Sequence, residues 1–263
     1  MVTVSSTTPA PSRSSGETPR RVLVTGASRG AGRAIARAFA ELGDRVVVHH
    51  RDSARDAERV VAALPGAGHC AVGADLRYPT STRCMVNAAA AALGGLDVVV
   101  NNAALQLESP ILGTAYDQWL EAWRHTIEVN LLGAANVAWC ASRLLPRGGR
   151  IVKVSSRGAY RGEPEAPAYG ASKAGLISLS GSLARALAPR GIAVASVAPG
   201  FIEPDESNVD KKSPRGPELP AQSPWGRVAT APEVAAAVVY LASPLAEFAT
   251  GTVIDVNGAS YLR

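Results

Sequence analysis

Tyr169 and Lys173 stand four residues apart, a spacing that puts both side chains on one face of a helix. A free phenol, with a pKa of about 10, is a poor proton carrier at neutral pH. An ammonium group beside it stabilises the phenolate and is expected to pull the Tyr169 pKa toward the working range. Ser156, thirteen residues earlier, follows an apolar run and can hydrogen-bond a substrate oxygen, with Ser155 its nearest competitor. A Tyr–Lys pair taken alone is often no more than a solvated helix face, so the reading depends on a second chemical feature.

That feature is the run Val22-Leu-Val-Thr-Gly-Ala-Ser-Arg-Gly-Ala-Gly, whose glycines Gly26, Gly30 and Gly32 follow a GxxxGxG spacing. Glycines let a backbone turn sharply and approach a ligand closely. The helix expected to start here offers free N–H groups and the positive end of its dipole to a pyrophosphate. A tight turn can demand glycine for steric reasons alone, but a strand before and a helix after favour a dinucleotide site.

The elements that must position these residues are legible as an alternation. Strands are predicted at Val22–Thr25, Arg45–His49, Cys70–Gly73, Val98–Asn101, Arg150–Ser155, Ala193–Ala198 and Val253–Val256. Helical patterns lie between them at Gly32–Leu42, Ala54–Leu64, Ser81–Leu93, Gln118–Leu145, Ala168–Ala188 and Ala231–Ala242. Strands that are continuously apolar and alternate with helices predict an α/β fold. The expected form is a single doubly wound Rossmann domain, with a seven-stranded parallel sheet covered by helices on both faces. Residues 1–19, rich in Ser, Thr and Pro, read as a disordered tail, and the catalytic domain is expected over 20–263. Within it the polar, proline-rich stretch at about 204–226 breaks the rhythm and is expected to act as a substrate lid.

With these residues in view the chain resembles the short-chain dehydrogenases/reductases, over roughly Arg21 to Gly258. TGASRGAG looks like their nucleotide-binding signature. Asn101-Asn-Ala-Ala resembles their NNAG, with Ala104 in the place of glycine. Asn130, Ser156, Tyr169 and Lys173 match the catalytic set, and Ala198-Pro-Gly-Phe-Ile matches the stretch after the sixth strand. The thirteen-residue gap from Ser156 to Tyr169 is that of bacterial ketoacyl reductases and favours Ser156 over Ser155. The resemblance implies hydride transfer between a nicotinamide and a carbonyl carbon. Tyr169 would give or take the proton, Ser156 would polarise the oxygen, and Asn130 would support a water that links Lys173 to solvent. It also implies cofactor contacts from Ser28, Asp75, Leu76, Asn102, Ala103, Pro199, Gly200 and Ile202 beside the three glycines, Tyr169 and Lys173. Relatives that reduce enoyl C=C bonds typically have a longer gap than the YxxxK here. Many relatives carry a threonine where Pro204 stands, and proline has neither hydroxyl nor N–H to replace it.

The choice between nicotinamide cofactors turns on the end of the second strand. An NAD enzyme normally holds the ribose 2′-hydroxyl with an acid there. By alignment His50 stands at that place, with Arg51 after it and Arg29 in the glycine turn, although Asp52 lies nearby. Two guanidiniums suit a 2′-phosphate, so NADP(H) is expected rather than NAD(H). Arg157, Tyr160, Arg161, Glu163 and Trp225 are substrate-pocket candidates. Arg147 and Arg190 match basic residues with which ketoacyl reductases dock an acidic acyl carrier. The substrate is therefore either a small molecule or a carbonyl borne on an acyl carrier.

Composition narrows the field further. The chain has 263 residues, 47% of them hydrophobic and 19% charged, as expected for a folded globular protein. Its three cysteines, Cys70, Cys84 and Cys140, show no CxxC spacing, so neither a disulfide framework nor a metal site is expected. The net charge of +5 is scattered rather than blocked, which disfavours nucleic acid, and no apolar run is long enough to span a membrane. A cytoplasmic homotetramer or homodimer is expected, paired through the long Gln118–Leu145 and Ala168–Ala188 helices as in the family. The rivals are an NAD-linked alcohol or sugar dehydrogenase, and a non-catalytic NADP(H)-binding sensor on the same fold.

Overall fold

A computed structural model of the protein describes residues 18–204 and 218–263. Most of the expected tail and the greater part of the expected lid fall outside these described residues. Seven strands form one parallel sheet: β1 (Arg21–Val24), β2 (Arg45–His50), β3 (Cys70–Gly73), β4 (Val98–Asn101), β5 (Arg150–Val154), β6 (Ala193–Pro199) and β7 (Val253–Val256). Their order is β3-β2-β1-β4-β5-β6-β7. The order reverses between β1 and β4, and doubly wound sheets bind ligands at the carboxyl ends of the strands flanking such a point.

Helices α1 (Gly30–Glu41), α2 (Ala54–Ala63), α3 (Pro79–Leu93), α4 (Tyr116–Ile127) and α5 (Ala134–Ser142) accompany the first half of the sheet. The second half has α6 (Gly158–Arg161), α7 (Pro167–Leu187), α8 (Glu218–Ala221) and α9 (Ala231–Leu241). The β-branched strands are buried on both faces because each face has its own apolar core. Val22, Val24 and Val48 pack with Ile35, Phe39 and Val238 of α1 and α9 on one side. Leu23, Val47 and Ile151 pack with Met85, Val137 and Ala184 of α3, α5 and α7 on the other. Among the described residues no helix is long and apolar enough to cross a membrane.

Two findings depart from the sequence pattern. The single helix expected over Gln118–Leu145 is interrupted: α4 and α5 are joined by a π-helical stretch, Glu128–Gly133. It ends in a close approach: a Cβ on Gly133 would lie 2.9 Å from both the Cβ and the carbonyl oxygen of Leu76. The turn widens where the chain presses against the loop after β3, and single π turns of this kind often occur at functional sites. The second departure is Lys153, which is 0% exposed on β5 and whose ammonium nitrogen has no hydrogen-bond partner. Burial pushes its pKa down to about 7. In register it lies between Asn101 of β4 and Ser196 of β6, which also carry unpartnered buried oxygens.

Candidate active site

The glycine turn leaves β1 and enters α1 at the switch point. Gly26 (φ 63°) and Gly30 (φ 55°) adopt left-handed angles that side chains disfavour. Gly32 is constrained by space instead: a Cβ there would lie 2.2 Å from the Gly26 carbonyl oxygen and 2.5 Å from Asn102 Nδ2. The turn is held from below by residues whose role the sequence did not reveal. Thr25 Oγ1 accepts from the backbone N–H groups of Asn102 (2.9 Å) and Ala103 (3.0 Å). Asn102 Nδ2 donates to the carbonyls of Thr25 and Gly26 at 2.9 and 3.0 Å. His49 Nδ1 accepts from the Gly26 N–H at 3.0 Å, while its Nε2–H donates to the Ala74 carbonyl at 3.0 Å. Burial holds this imidazole neutral, with its pKa pushed down to about 4. His49 therefore ties the glycine turn to the loop after β3 by two bonds, the first of which a charged ring could not make.

Above this support lies a cleft of about 380 Å³. It gathers the predicted Gly26, Ser28, Arg29, Gly30, Gly32 and Arg51 along one wall, and Asp75, Leu76, Asn102 and Ala103 along the other. A Cβ on Gly30 would meet nothing within 4 Å, so that backbone faces open space. Arg29 immediately precedes α1 and has no ion-pair partner among the described residues. Arg51 differs, because its Nε is already bonded to the Asp52 carboxylate. The Asp75 carboxylate is held by Arg77 at 2.5 Å, a bond that lowers its pKa. His50 lines the cleft with its Nδ1 buried and unpartnered, where an acid had been the alternative.

The catalytic set converges from three elements. Ser156 follows β5, Tyr169 and Lys173 lie on α7, and Asn130 lies in the π turn. Ser156 is hydrogen-bonded to the Tyr169 hydroxyl. Ser155 is excluded as the alternative, since its buried hydroxyl donates to the Lys173 carbonyl at 3.0 Å. Lys173 Nζ donates to the Val154 carbonyl (2.7 Å) and lies 5.5 Å from the centre of the Tyr169 ring. Asn130, 1% exposed, grips Leu105 through both backbone groups, accepting at 2.7 Å and donating at 2.9 Å. Its Nδ2 also donates to Ser172 Oγ (3.0 Å), whose hydroxyl donates to the Tyr169 carbonyl (2.7 Å). Through Ser172 the π turn thus fixes the helix that carries the tyrosine.

One expectation is corrected. Burial pushes the Tyr169 pKa up to about 12, and the bond from Ser156 opposes this only in part. Burial also pushes the Lys173 pKa down to about 8, with its ammonium 5.5 Å from the centre of the Tyr169 ring. Desolvation of the phenolate is the largest influence, and Tyr169 is a protonated acid at neutral pH.

On the far side of the sheet, Pro199 and Gly200 end β6 and Ile202 pairs with Ala229, apart from the walls of the dinucleotide cleft. Pro204 is exposed. Arg157 and Arg161 lie close to Ser156 and meet at Gln222. Tyr160 turns away, stacking on Tyr261 at 6.3 Å and accepting from Arg263 at 3.0 Å. Glu163 is buried beneath Gly158, and Trp225 is exposed beside Arg227. Arg147 and Arg190 flank the amino ends of β5 and β6, at the opposite end of the sheet from Ser156. Arg190 is occupied there, donating to the carbonyls of Ser142 and Leu145 at the end of α5.

Known proteins share the fold and the length of this chain. A family profile described as "Enoyl-(Acyl carrier protein) reductase" matches residues 26–259. The chain is 36% identical over 250 residues to 3-oxoacyl-[acyl-carrier-protein] reductase FabG of Staphylococcus aureus, covering 92% of this chain and 98% of that one. A solved short-chain dehydrogenase from Burkholderia cenocepacia, in complex with NADP, superposes with a TM-score of 0.83 at 33% identity, covering 92% and 97% of the two chains. The angucycline C-6 ketoreductase LanV, solved with bound NADP, superposes with a TM-score of 0.83 at 30% identity, covering 92% and 95%.

Proposed function

This chain belongs to the short-chain dehydrogenase/reductase family, and from that premise we propose that it is an NADPH-dependent ketoreductase. The observation that carries the reading is the protonated Tyr169, hydrogen-bonded to Ser156 at the carboxyl end of β5 and backed by Lys173. The cofactor residues fit an NADP(H) molecule. Gly26, Gly30 and Gly32 admit a pyrophosphate against the start of α1, and Arg29 is available to its 2′-phosphate. Arg51 would join it by sharing its charge with Asp52. Two solved relatives at similar identity carry NADP, and relatives of this chain include a 3-oxoacyl-[acyl-carrier-protein] reductase and an angucycline C-6 ketoreductase.

The nicotinamide, when bound, supplies the hydride. The chain's own residues handle the oxygen. Ser156 donates a hydrogen bond that polarises the carbonyl, and Tyr169 O–H gives its proton as negative charge develops there. Tyr169, protonated at neutral pH, is in the state that this donation requires. Lys173, with a pKa near 8, still carries a proton at neutral pH and is placed to resupply it. The YxxxK spacing favours C=O over C=C as the reduced bond. Acyl-carrier docking at Arg147 and Arg190 has less support, since both lie at the opposite end of the sheet from their own Tyr169. Exposed Leu132 and Trp139 on the π turn and α5 support pairing of chains across this face.

The test is a panel of ketones, aldehydes and acyl-thioesters with NADPH and with NADH, followed through the cofactor's absorbance. Turnover of ketones with NADPH preferred is expected. Absence of turnover across the panel, or a preference for NADH, would overturn the reading.

A further inference from the structure

Beside Ser156 the fold leaves two arginines with too little negative charge. Arg157 is 2% exposed, and its guanidinium lies 4.6 Å above the Phe201 ring. Its Nη2 donates to Gln222 Oε1 at 2.5 Å, and Arg161 Nη1 donates to that same oxygen at 3.2 Å. Two cations therefore converge on one neutral amide. Among the described residues no carboxylate lies within ion-pair distance of Arg157, and Glu163 reaches only Arg161, at 3.9 Å. Burial and the repulsion of Arg161 both pull the Arg157 pKa down, against the weaker attraction of Glu163. An arginine does not shed its proton, and a buried cation without a counter-charge is costly. A cavity of about 280 Å³ opens beside Arg157 and Phe201, with Ser223 and Arg227 on its wall and Glu233 and Asp255 also lining it, so an outside group can reach Arg157.

We infer that Arg157 and Arg161 form an anion subsite in which a carboxylate or phosphate of the substrate replaces the Gln222 oxygen. The inference rests on the reductase reading and deepens it: the substrate is a ketone that carries a negative group near its carbonyl. Arg157 is the residue after Ser156, with consecutive Cα atoms about 3.8 Å apart, so the subsite is anchored on the residue next to the one that polarises the oxygen. Gln222 serves as a neutral placeholder, giving up hydrogen bonds that a charged acceptor makes more strongly.

The experiment compares wild type with Gln222→Glu, which builds a carboxylate into the subsite, and with Arg161→Gln. Two matched pairs serve as probes: 4-oxopentanoate against its methyl ester, and dihydroxyacetone phosphate against dihydroxyacetone. In wild type the charged member of one pair should have the higher kcat/KM by about tenfold or more, and the pair that shows this names the anion. Both variants should reduce that charged-to-neutral ratio by about tenfold. Gln222→Glu should also raise Tm, a readout that needs no turnover. A charged-to-neutral ratio near one in wild type, or one unchanged in both variants, overturns the subsite. If no ketone in the panel is reduced but Gln222→Glu still raises Tm, and calorimetry finds wild type binding 4-oxopentanoate more tightly than either variant, the reductase reading fails while the subsite stands.

Discussion

The nucleotide side of the cleft is built mainly of backbone, and the substrate side mainly of long side chains. Around the glycine turn, buried Thr25 and His49 and half-buried Asn102 hold the backbone through hydrogen bonds, and they leave amide groups facing the ligand. Around Ser156, Arg157, Phe201, Gln222 and Trp225 reach across loops, and several bonds end on neutral or solvent-facing groups. The first arrangement suits a ligand whose shape is constant. The second can change with each substrate, because side chains can be exchanged without altering the turn that presents them.

The contrast is sharpest if the two sides can be broken separately. Tyr169→Phe removes one hydroxyl from the substrate side, and kcat should fall at least about a hundredfold. NADPH affinity, measured by equilibrium titration, should stay near wild type; near-normal turnover would remove Tyr169 from the chemistry. Arg29→Ala acts on the other side. It should weaken NADPH binding by roughly ten- to hundredfold at fixed salt, and NADH binding much less. Equal losses for both cofactors would mean that Arg29 does not read the 2′-phosphate.

The pH profile reports on the junction of the two sides. The Lys173 pKa is lowered to about 8, so its charge is lost above that pH. Reductive kcat/KM should then fall by about tenfold per pH unit, while NADPH binding changes little. A flat profile to pH 10 would exclude the lysine as the proton source. The smallest effect on turnover is expected from Lys153→Met, beneath both sides. The Lys153 pKa is lowered from 10.5 to about 7, so the unfolded chain holds that proton more tightly. Its stability deficit is full below about pH 7 and shrinks as pH rises toward 10.5. Exchange for a well-packed hydrophobe is expected to contribute about 1–4 kcal/mol at neutral pH, seen as a Tm increase of several degrees. It should also flatten the rise of Tm between about pH 7 and 10; a lower Tm at neutral pH would show that the lysine has a stabilising partner.

The same contrast governs how much could be read before the structure was known. Gly26, Gly30, Gly32, Tyr169 and Lys173 were legible because backbone approach and helical spacing each impose a pattern on nearby residues. The seven-stranded parallel sheet followed from the alternation of elements, and the strands lie within a residue or so of their expected positions. His49 was not legible, since one histidine ending an apolar strand carries no sign of which carbonyl it will meet. The π turn was equally hidden, because the Leu76 carbonyl against which it packs at Gly133 lies more than fifty residues away. The pKa of Tyr169 was read in the wrong direction because spacing places a charge nearby but says nothing about the solvent excluded. The pairing of Arg157 with Arg161 at Gln222 depends on a loop some sixty residues away.

The widened turn at Glu128–Gly133 can also be read as a matter of phase. A π turn accommodates one residue more than the α-helix that would otherwise run through, and one residue is about 100° of rotation. Everything downstream in α5 is thereby turned relative to α4, so Trp139 and Val137 owe their outward and inward facing to a surplus residue six or more positions earlier. Losing one residue from this stretch would take Asn130 from its two bonds to Leu105 and also swing the apolar seam of α5 off the sheet. Catalytic support and core packing are thus locked to one count of residues, and neither can drift in length without the other.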